Sequence, residues 1–149
     1  MSDYFCNEGH LKPGDAVAAL ITLEDGRYLM QLRDQKPGIF YPGHWGLFGG
    51  AMDEGESVQS ALARELEEEL GLKGATGRYV TDLSFAYGRF GRIKRYYYEV
   101  QITSADLARL TIREGREARP FHAADILTQP RVVAYDSFAI WLHARGLAA

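Results

Sequence analysis

Residues 45–72 read WGLFGGAMDEGESVQSALARELEEELGL, and this stretch decides the fold of the chain. It begins with a short apolar run, Trp45 to Gly50, which predicts a strand that ends in a glycine pair. From Ser57 to Leu70 the apolar residues recur at helical spacing, and Gly71 stands where a left-handed C-terminal cap is expected. The stretch therefore predicts a strand, a loop and a helix in direct succession.

The predicted helix has two acidic residues on its apolar side. Counted from the start of the helix at about 100° per residue, Leu62 falls at about 40° and Leu66 at about 80°. Glu65 falls at about −20° and Glu69 at about 20°, inside the same face, whereas Glu67 points to the opposite side. A solvated acidic face of a surface helix is the alternative interpretation, and it accounts for Glu67 but not for the other two glutamates.

Two carboxylates four residues apart on an apolar face need a counter-charge. Arg64, at about −120°, is expected to reach Glu68 and to point away from Glu65 and Glu69. A divalent cation is the simplest remaining partner. Ligation by oxygen, without cysteine or paired histidines, favours Mg²⁺, with Mn²⁺ as a substitute, over zinc or copper.

The flanking segments alternate between strand and loop patterns. An almost continuous apolar run over residues 15–23 predicts a strand buried on both faces, and a turn at residues 24–26 leads into a second strand over 27–33. Prolines and glycines make residues 34–46 a long loop. The remaining patterns predict a hairpin with arms 79–87 and 92–102, and a closing helix over 132–145 that packs through Val133, Phe138, Ile140, Trp141 and Leu142. The chain is of the α+β class, with its main helix on a sheet.

Length and composition fit one ordinary domain, which we take to span residues 1–149. The chain is 46% hydrophobic and has 17 basic against 20 acidic residues, so we expect no stable nucleic-acid partner. Its one cysteine excludes an intramolecular disulfide and predicts a cytoplasmic location. The sequence has neither a signal-peptide pattern nor a membrane span, and exposed sheet edges are compatible with a homodimer.

Gly50, Glu56 and the run Arg64-Glu65-Leu66-Glu67-Glu68-Glu69-Leu70-Gly71-Leu72 stand at the spacing of the Nudix box. The chain matches this motif, Gly50 to Leu72, at every defined position. In this motif it resembles the Nudix hydrolase family. The resemblance implies an α/β/α sandwich with a mixed central sheet and a catalytic loop-helix-loop. The chain departs from many relatives in having Phe48 where they have proline, which bears on the substrate more than on catalysis.

The resemblance implies a Mg²⁺-dependent hydrolase that cuts a pyrophosphate link by attack of water at phosphorus. It assigns as metal ligands the Gly50 carbonyl and the side chains of Glu65, Glu68 and Glu69. By analogy, Arg64 orients these carboxylates, and Glu56 bonds Arg64 rather than the metal.

The attacking water needs a base within hydrogen-bond reach to take its proton. One candidate is Glu65 itself. The other is a glutamate in the run over residues 113–117, where we favour Glu114 over Glu117. An exposed charged turn is the alternative interpretation of that run.

Substrate contacts are expected from the loops over residues 34–46 and 84–95 and from their borders. We assign Arg33, Trp45 and Tyr87 to substrate binding. The expected substrate is a small nucleotide, either a nucleoside diphosphate sugar or a nucleoside triphosphate, ordinary or oxidised. A nucleotide sensor without turnover is the rival hypothesis, and the intact box glutamates count against it. An enzyme of RNA caps or dinucleoside polyphosphates would favour a broad basic channel, for which residues 89–95 give only weak support.

Overall fold

The computed structural model describes residues 14–86 and 91–147. In chain order the elements are β1 (Ala16–Thr22), β2 (Tyr28–Leu32), β3 (Trp45–Gly46), β4 (Phe48–Ala51), α1 (Val58–Leu70), β5 (Arg78–Ala86), β6 (Arg92–Gln101), α2 (Ser104–Arg109), β7 (Glu117–Phe121), α3 (Ala123–Leu127) and α4 (Ala134–Ala144). The predicted α+β class is confirmed. The main strands, the box helix and the closing helix appear with ends that differ from the predicted ones by at most two residues.

The described strands form one mixed sheet. Their order is β3-β2-β1-β6-β5, with β4 also paired to β1 and β7 also paired to β2. β1 runs parallel to β6 and antiparallel to β4. Every residue from Val17 to Ile21 is fully buried, so the continuous apolar run belongs to a central strand, as its pattern predicts.

Two apolar clusters lie on the two faces of this sheet. One cluster joins Leu66 of α1 to Val17 of β1. The other joins Ile140 of α4 to Ala18 and Leu20 of the same strand. Because successive residues of a strand point to opposite faces, β1 supplies both clusters, and the result is the α/β/α sandwich that the resemblance implies.

The prediction of a single strand over Trp45 to Gly50 is wrong. The segment forms two strands, because β3 pairs with β2 while β4 pairs with β1. Between them, the Leu47 N–H leaves the ladder and donates to Asp136 Oδ2 at 3.0 Å. The chain thus changes strand partners at Leu47, and the packing of α4 supplies the missing hydrogen-bond acceptor.

The closing helix packs through only part of the face predicted, with Trp141 and Leu142 half-buried. Ile140 and Val133 are buried as expected, but Phe138 is 47% exposed. Its ring instead stacks on Trp141, with ring centroids 6.2 Å apart. The buried face of α4 contains Asp136, which is 1% exposed.

Three elements that the sequence patterns did not predict, α2, β7 and α3, lie between β6 and α4. α2 begins with a capping box, in which Thr103 Oγ1 accepts from the Asp106 N–H at 3.0 Å and Asp106 Oδ2 accepts from the Thr103 N–H at 2.9 Å. Among the strands of the described residues, β7 pairs only with β2, and this edge position tolerates its Pro120. Among the helices of the described ranges, none is long and apolar enough to cross a membrane.

Candidate active site

α1 is fixed at both ends and presents its two buried glutamates to β4. Ser57 Oγ accepts from the Ser60 N–H at 3.1 Å, and Gly71, in the left-handed region at φ 68°, donates its N–H to the Glu67 carbonyl. Glu65 is 9% exposed and Glu69 is 2% exposed. The placement that the helical angles predict for these two side chains is therefore confirmed.

The glycine pair at the start of the loop lets the carboxylates lie directly on β4. The Gly49 N–H donates to Glu69 Oε2 at 3.0 Å. A Cβ atom at Gly50 would lie 2.7 Å from Glu65 Oε1, so any other residue here would displace that carboxylate from its position. At Gly49, φ is 136° and a Cβ would overlap the Val17 carbonyl oxygen. Gly49 is thus required by the close approach of the β1 backbone, and Gly50 lets the Glu65 carboxylate lie directly on β4.

The contact of Arg64 with Glu65 contradicts part of the sequence prediction. Its Nη1 donates to Glu65 Oε1 at 2.8 Å, although the helical angles place the two residues on different sides. The long side chain reaches around the helix, which the position of its Cα does not reveal. The predicted Glu56 contact is confirmed, because Nε and Nη2 of Arg64 donate to the two oxygens of Glu56 at 2.8 and 2.9 Å. These hydrogen bonds from Arg64 lower the pKa of Glu56 to about 2.

A cavity of about 330 Å³ opens beside these residues. Its acidic lining residues are Glu65, Glu69, Glu114 and Asp136. Its other lining residues include Arg33, Phe40, Gly49, Gly50, Ile93, Arg95, Val133 and Tyr135. The cavity therefore combines a cluster of carboxylates with two arginines and an apolar wall.

Burial places the two glutamates of α1 in an electrostatically unfavourable position. It raises the pKa of Glu65, although the hydrogen bond from Arg64 acts in the opposite direction. Burial raises the pKa of Glu69 to about 9; the Gly49 N–H opposes this shift, and the nearby acids Glu114 and Glu65 reinforce it. The carboxyl group of Glu69 therefore lacks the positive charge that would hold it ionised at neutral pH.

The metal ligands that the resemblance implies are brought together only in part. Glu65, Glu69 and Gly50 line the cavity, but the Glu68 side chain is 60% exposed, and its carboxylate lies 3.5 Å from Arg64 Nη1. Within residues 14–86 and 91–147, no three His, Cys, Asp or Glu side chains are arranged so that they could hold a metal ion. The set of donors nevertheless fits a hard divalent cation, because the buried carboxylates of Glu65 and Glu69 lie beside the Gly50 backbone and Arg64 pairs with only the first of them.

Glu114 reaches the cavity from a turn that is tied to the end of α1. The Arg113 N–H donates to the Glu69 carbonyl at 2.9 Å, and Arg113 Nη1 donates to the Glu67 carbonyl at 3.2 Å. Glu117 begins β7 and pairs with Arg119 rather than lining the cavity. Of the two later glutamates considered as a base, the structure thus brings Glu114 to the carboxylates of α1.

Of the three residues assigned to substrate binding, the structure places Arg33 on the cavity wall. Arg33 lines the cavity, and its Nε donates to the Phe40 carbonyl at 2.8 Å. Trp45 does not line it: the indole ring packs against Phe121, with centroids 4.9 Å apart, because β3 turns the side chain toward the second cluster. Tyr87 lies outside the described residues.

Sequence reasoning missed a buried network beside the cavity, centred on Asp136. This carboxylate accepts from the Leu47 N–H and the Tyr97 hydroxyl at 3.0 Å each, and from Arg95 Nε at 3.1 Å. Burial and then the Asp136 charge raise the pKa of Tyr97 well above its usual value. Burial alone would lower the pKa of Arg95, but the facing Asp136 carboxylate more than offsets this and raises it. The sequence feature that could have indicated this network is Asp136, a single acidic residue within the apolar pattern of the closing helix.

Comparison with known proteins gives a family match over most of the chain. The NUDIX domain model matches residues 12–141. The nucleoside triphosphatase NudI of Escherichia coli is 47% identical over 47 residues, which are 32% of this chain and 33% of that protein. The match thus spans about a third of the length of the curated relatives.

Two solved structures resemble the fold over nearly its whole length. The MutT protein from Methanosarcina mazei superposes with a TM-score of 0.74 at 22% identity, covering 91% of this chain and 96% of that one, and at this identity it shows the fold alone. The MutT NUDIX hydrolase from Burkholderia pseudomallei has a TM-score of 0.64 at 29% identity, covering 87% of this chain and 96% of that one.

Proposed function

This chain belongs to the NUDIX domain family, and from that premise we propose that it is a divalent-metal-dependent hydrolase of a phosphoric anhydride bond in a small nucleotide. The observation that carries the proposal is the pair of buried glutamates, Glu65 and Glu69, on the wall of one cavity. The pKa values of both carboxyl groups are raised in the protein alone, and a bound cation would stabilise their ionised forms. A cation held there would meet the negatively charged diphosphate of a substrate.

The residues that would hold Mg²⁺ or Mn²⁺ are Glu65, Glu69 and the Gly50 carbonyl, joined by Glu68. When bound, the metal supplies charge neutralisation of the phosphate oxygens and acidification of water. Arg64 fixes the Glu65 carboxylate through the 2.8 Å Nη1–Oε1 hydrogen bond and is itself held by Glu56. The Gly49 N–H fixes one oxygen of Glu69. The two carboxylates are thereby oriented before the substrate arrives.

Glu114 is the proposed base that takes the proton from the attacking water. It lines the same cavity as Glu65 and Glu69, and the turn that bears it is anchored by Arg113 to the C-terminal carbonyls of α1. A base must lie within hydrogen-bond reach of the proton it removes, and this anchoring keeps Glu114 close to the carboxylates of α1. Glu65 is the alternative base.

Nucleoside triphosphates and nucleoside diphosphate sugars are the proposed substrates. The curated relative NudI is named a nucleoside triphosphatase, which makes triphosphates the first class to test. A cavity of about 330 Å³ lies in the usual range for small-molecule sites and accommodates a small nucleotide more readily than a polymer. Arg33 supplies a guanidinium group on the cavity wall for a phosphate.

The test is a turnover assay of the full chain against a panel of nucleotides, in Mg²⁺ and in EDTA. The panel contains nucleoside triphosphates, nucleoside diphosphate sugars, dinucleoside polyphosphates and 8-oxoguanine nucleotides, with products followed by phosphate release and chromatography. We expect Mg²⁺-dependent cleavage of one class. Absence of cleavage across the panel, with calorimetry still detecting nucleotide binding, would contradict hydrolysis and favour the nucleotide-sensor hypothesis.

A further inference from the structure

Arg95 reaches the cavity from the face of the sheet opposite α1. In the parallel pairing of β1 with β6, Arg95 lies beside Ala16, and the neighbouring Tyr96 and Tyr97 turn to the α1 and α4 clusters respectively. Arg95 therefore points to the α4 side, as Tyr97 does. Its guanidinium carbon lies 5.3 Å from the ring centre of Tyr135, which also lines the cavity.

Asp136, although it lines the cavity, has no accepting capacity left for a ligand. Its Oδ1 accepts from Arg95 Nε and the Tyr97 hydroxyl, and its Oδ2 accepts from the Leu47 N–H and, at 3.5 Å, from Arg95 Nη2. Four donors fill the lone-pair sites of a carboxylate. This part of the wall therefore offers a ligand hydrogen-bond donors and no acceptor from the carboxylate.

The free donors belong to Nη1 of Arg95. Only Nε and Nη2 of this side chain hydrogen-bond to described residues. Across residues 14–86 and 91–147, no fully buried side-chain nitrogen or oxygen lacks a partner, so Nη1 must retain accessible surface. Because Arg95 lines the cavity and its side chain is only 12% exposed, we infer that the two Nη1 hydrogens face the cavity.

The two arginines of the cavity differ in charge compensation. Asp136 neutralises Arg95 at 3.1 Å, whereas the only hydrogen bond from the Arg33 side chain to a described residue goes to the neutral Phe40 carbonyl. An anionic phosphate is thus drawn to Arg33, and a neutral acceptor suits Arg95. Phe40, Tyr135 and the buried Ile93 add the apolar lining that a flat base requires.

We propose that Arg95 determines base specificity: its Nη1 edge donates to a carbonyl oxygen of the nucleobase and disfavours an amino group at the same position. Two donors cannot satisfy each other, so an amino base would leave the arginine edge unpaired in a desolvated site. The inference rests on the proposed function, because it names the nucleotide class taken by that same cavity. The preferred substrates are then nucleotides of keto bases, such as hypoxanthine, guanine, uracil and thymine.

The test compares nucleotide pairs that differ mainly by a keto or an amino group at one ring position: inosine with adenosine triphosphate, and uridine with cytidine triphosphate. Wild-type kcat/KM with Mg²⁺ should favour the keto member of each pair by about tenfold or more, as expected from one good hydrogen-bonded pair to a base edge.

Arg95→Lys keeps a cation beside Asp136 but removes the guanidinium edge. We expect its preference to fall to about threefold or less, mainly through a higher KM for the keto nucleotides. The matched control is Arg92→Lys, an exposed position on the same strand, which should keep the wild-type preference.

The outcomes separate this inference from the proposed function. Wild-type turnover without a keto preference, or an equal loss of both members of a pair in Arg95→Lys, would overturn the role of Arg95 and leave the hydrolase intact. If none of the four nucleotides is cleaved, the proposed function is still decided by the wider substrate panel, and calorimetric binding of the same four nucleotides decides the inference: selective binding of the keto members supports it, and unselective or absent binding overturns it. If Arg95→Lys fails to fold, the double variant Arg95→Met with Asp136→Asn, which removes both buried charges, replaces it.

Discussion

Glu69→Gln should stabilise the metal-free protein at neutral pH and abolish its metal-dependent turnover. Glu69 is 2% exposed, and burial, reinforced by the charges of Glu114 and Glu65, raises its pKa to about 9. Glutamine has nearly the same shape, and its Oε1 still accepts the Gly49 N–H that now donates to Glu69 Oε2. The substitution therefore removes an ionisable group without removing a hydrogen bond or opening a cavity.

The sign and the size of the effect follow from proton linkage. The ordinary pKa of the Glu69 carboxyl, which applies to the unfolded chain, is 4.5, and in the folded protein it is about 9. Between these values the unfolded state binds fewer protons than the folded state, so the free energy of unfolding falls as pH rises. At pH 7 this loss is about 3 to 4 kcal/mol, from about 2.5 pH units at about 1.4 kcal/mol each. Below about pH 4.5 both states are protonated, and the loss disappears.

The assay is urea unfolding in EDTA at pH 5 and pH 7, followed by far-ultraviolet circular dichroism. The free energy of unfolding of Glu69→Gln should exceed that of the wild type by about 3 to 4 kcal/mol at pH 7 and by less than about 1 kcal/mol at pH 5. Glu67→Gln, on the exposed side of the same helix, is the matched control and should equal the wild type at both pH values. In Mg²⁺, only Glu69→Gln should lose turnover.

Equal stability of Glu69→Gln and the wild type at both pH values would refute the reasoning about burial and neighbouring acids. Wild-type turnover in that variant would refute the proposed metal role of Glu69. The two results are independent, because one is measured without metal and the other with it.

Three further substitutions test other parts of the site and the fold. Glu114→Gln should lower kcat about 100-fold or more if it removes the base, while Glu117→Gln should leave kcat near wild type; a similar effect of both would contradict the assignment. Gly50→Ala should fold but lower turnover at limiting Mg²⁺ about tenfold or more, because its Cβ would lie 2.7 Å from Glu65 Oε1 and displace that carboxylate. An unchanged Mg²⁺ dependence of turnover would show that the position of the Glu65 carboxylate does not depend on Gly50. Phe138→Ala should lower the free energy of unfolding by about 1 kcal/mol, since the residue is 47% exposed and its ring only stacks on Trp141. A loss of about 3 kcal/mol or more in urea unfolding, as expected at a core phenylalanine, would show that the ring is covered in solution.

The sequence predicts those elements whose pattern reflects their own burial. The apolar run of β1 identifies a central strand because both of its faces are covered, and the periodicity of α1 identifies a helix with one buried face. The break at Leu47 is not predictable in this way, because it arises when consecutive residues pair with different strands. The buried face of α4 is predicted incorrectly in part, for a related reason. Asp136 and Ile140, four residues apart, lie on that face, so Phe138 points outward although it is apolar.

The candidate site divides in the same way between local and long-range information. Glu65 and Glu69 can be placed from helical angles alone, since the backbone fixes the direction of their side chains. The contact of Arg64 with Glu65 depends on the rotamers of a long side chain. The pair of Arg95 and Asp136 joins residues 41 positions apart, and only the packing of α4 on the sheet brings them together.

The central claim is that the buried glutamates of α1 act through a divalent cation. It is tested most directly by titrating Mn²⁺ into the wild type, Glu65→Gln and Glu67→Gln in parallel, with the turnover of each variant measured on the same preparations. We predict that the wild type and Glu67→Gln bind the metal and cleave the preferred nucleotide, and that Glu65→Gln loses both properties while remaining folded. Metal binding and turnover by Glu65→Gln at the wild-type level would contradict the claim.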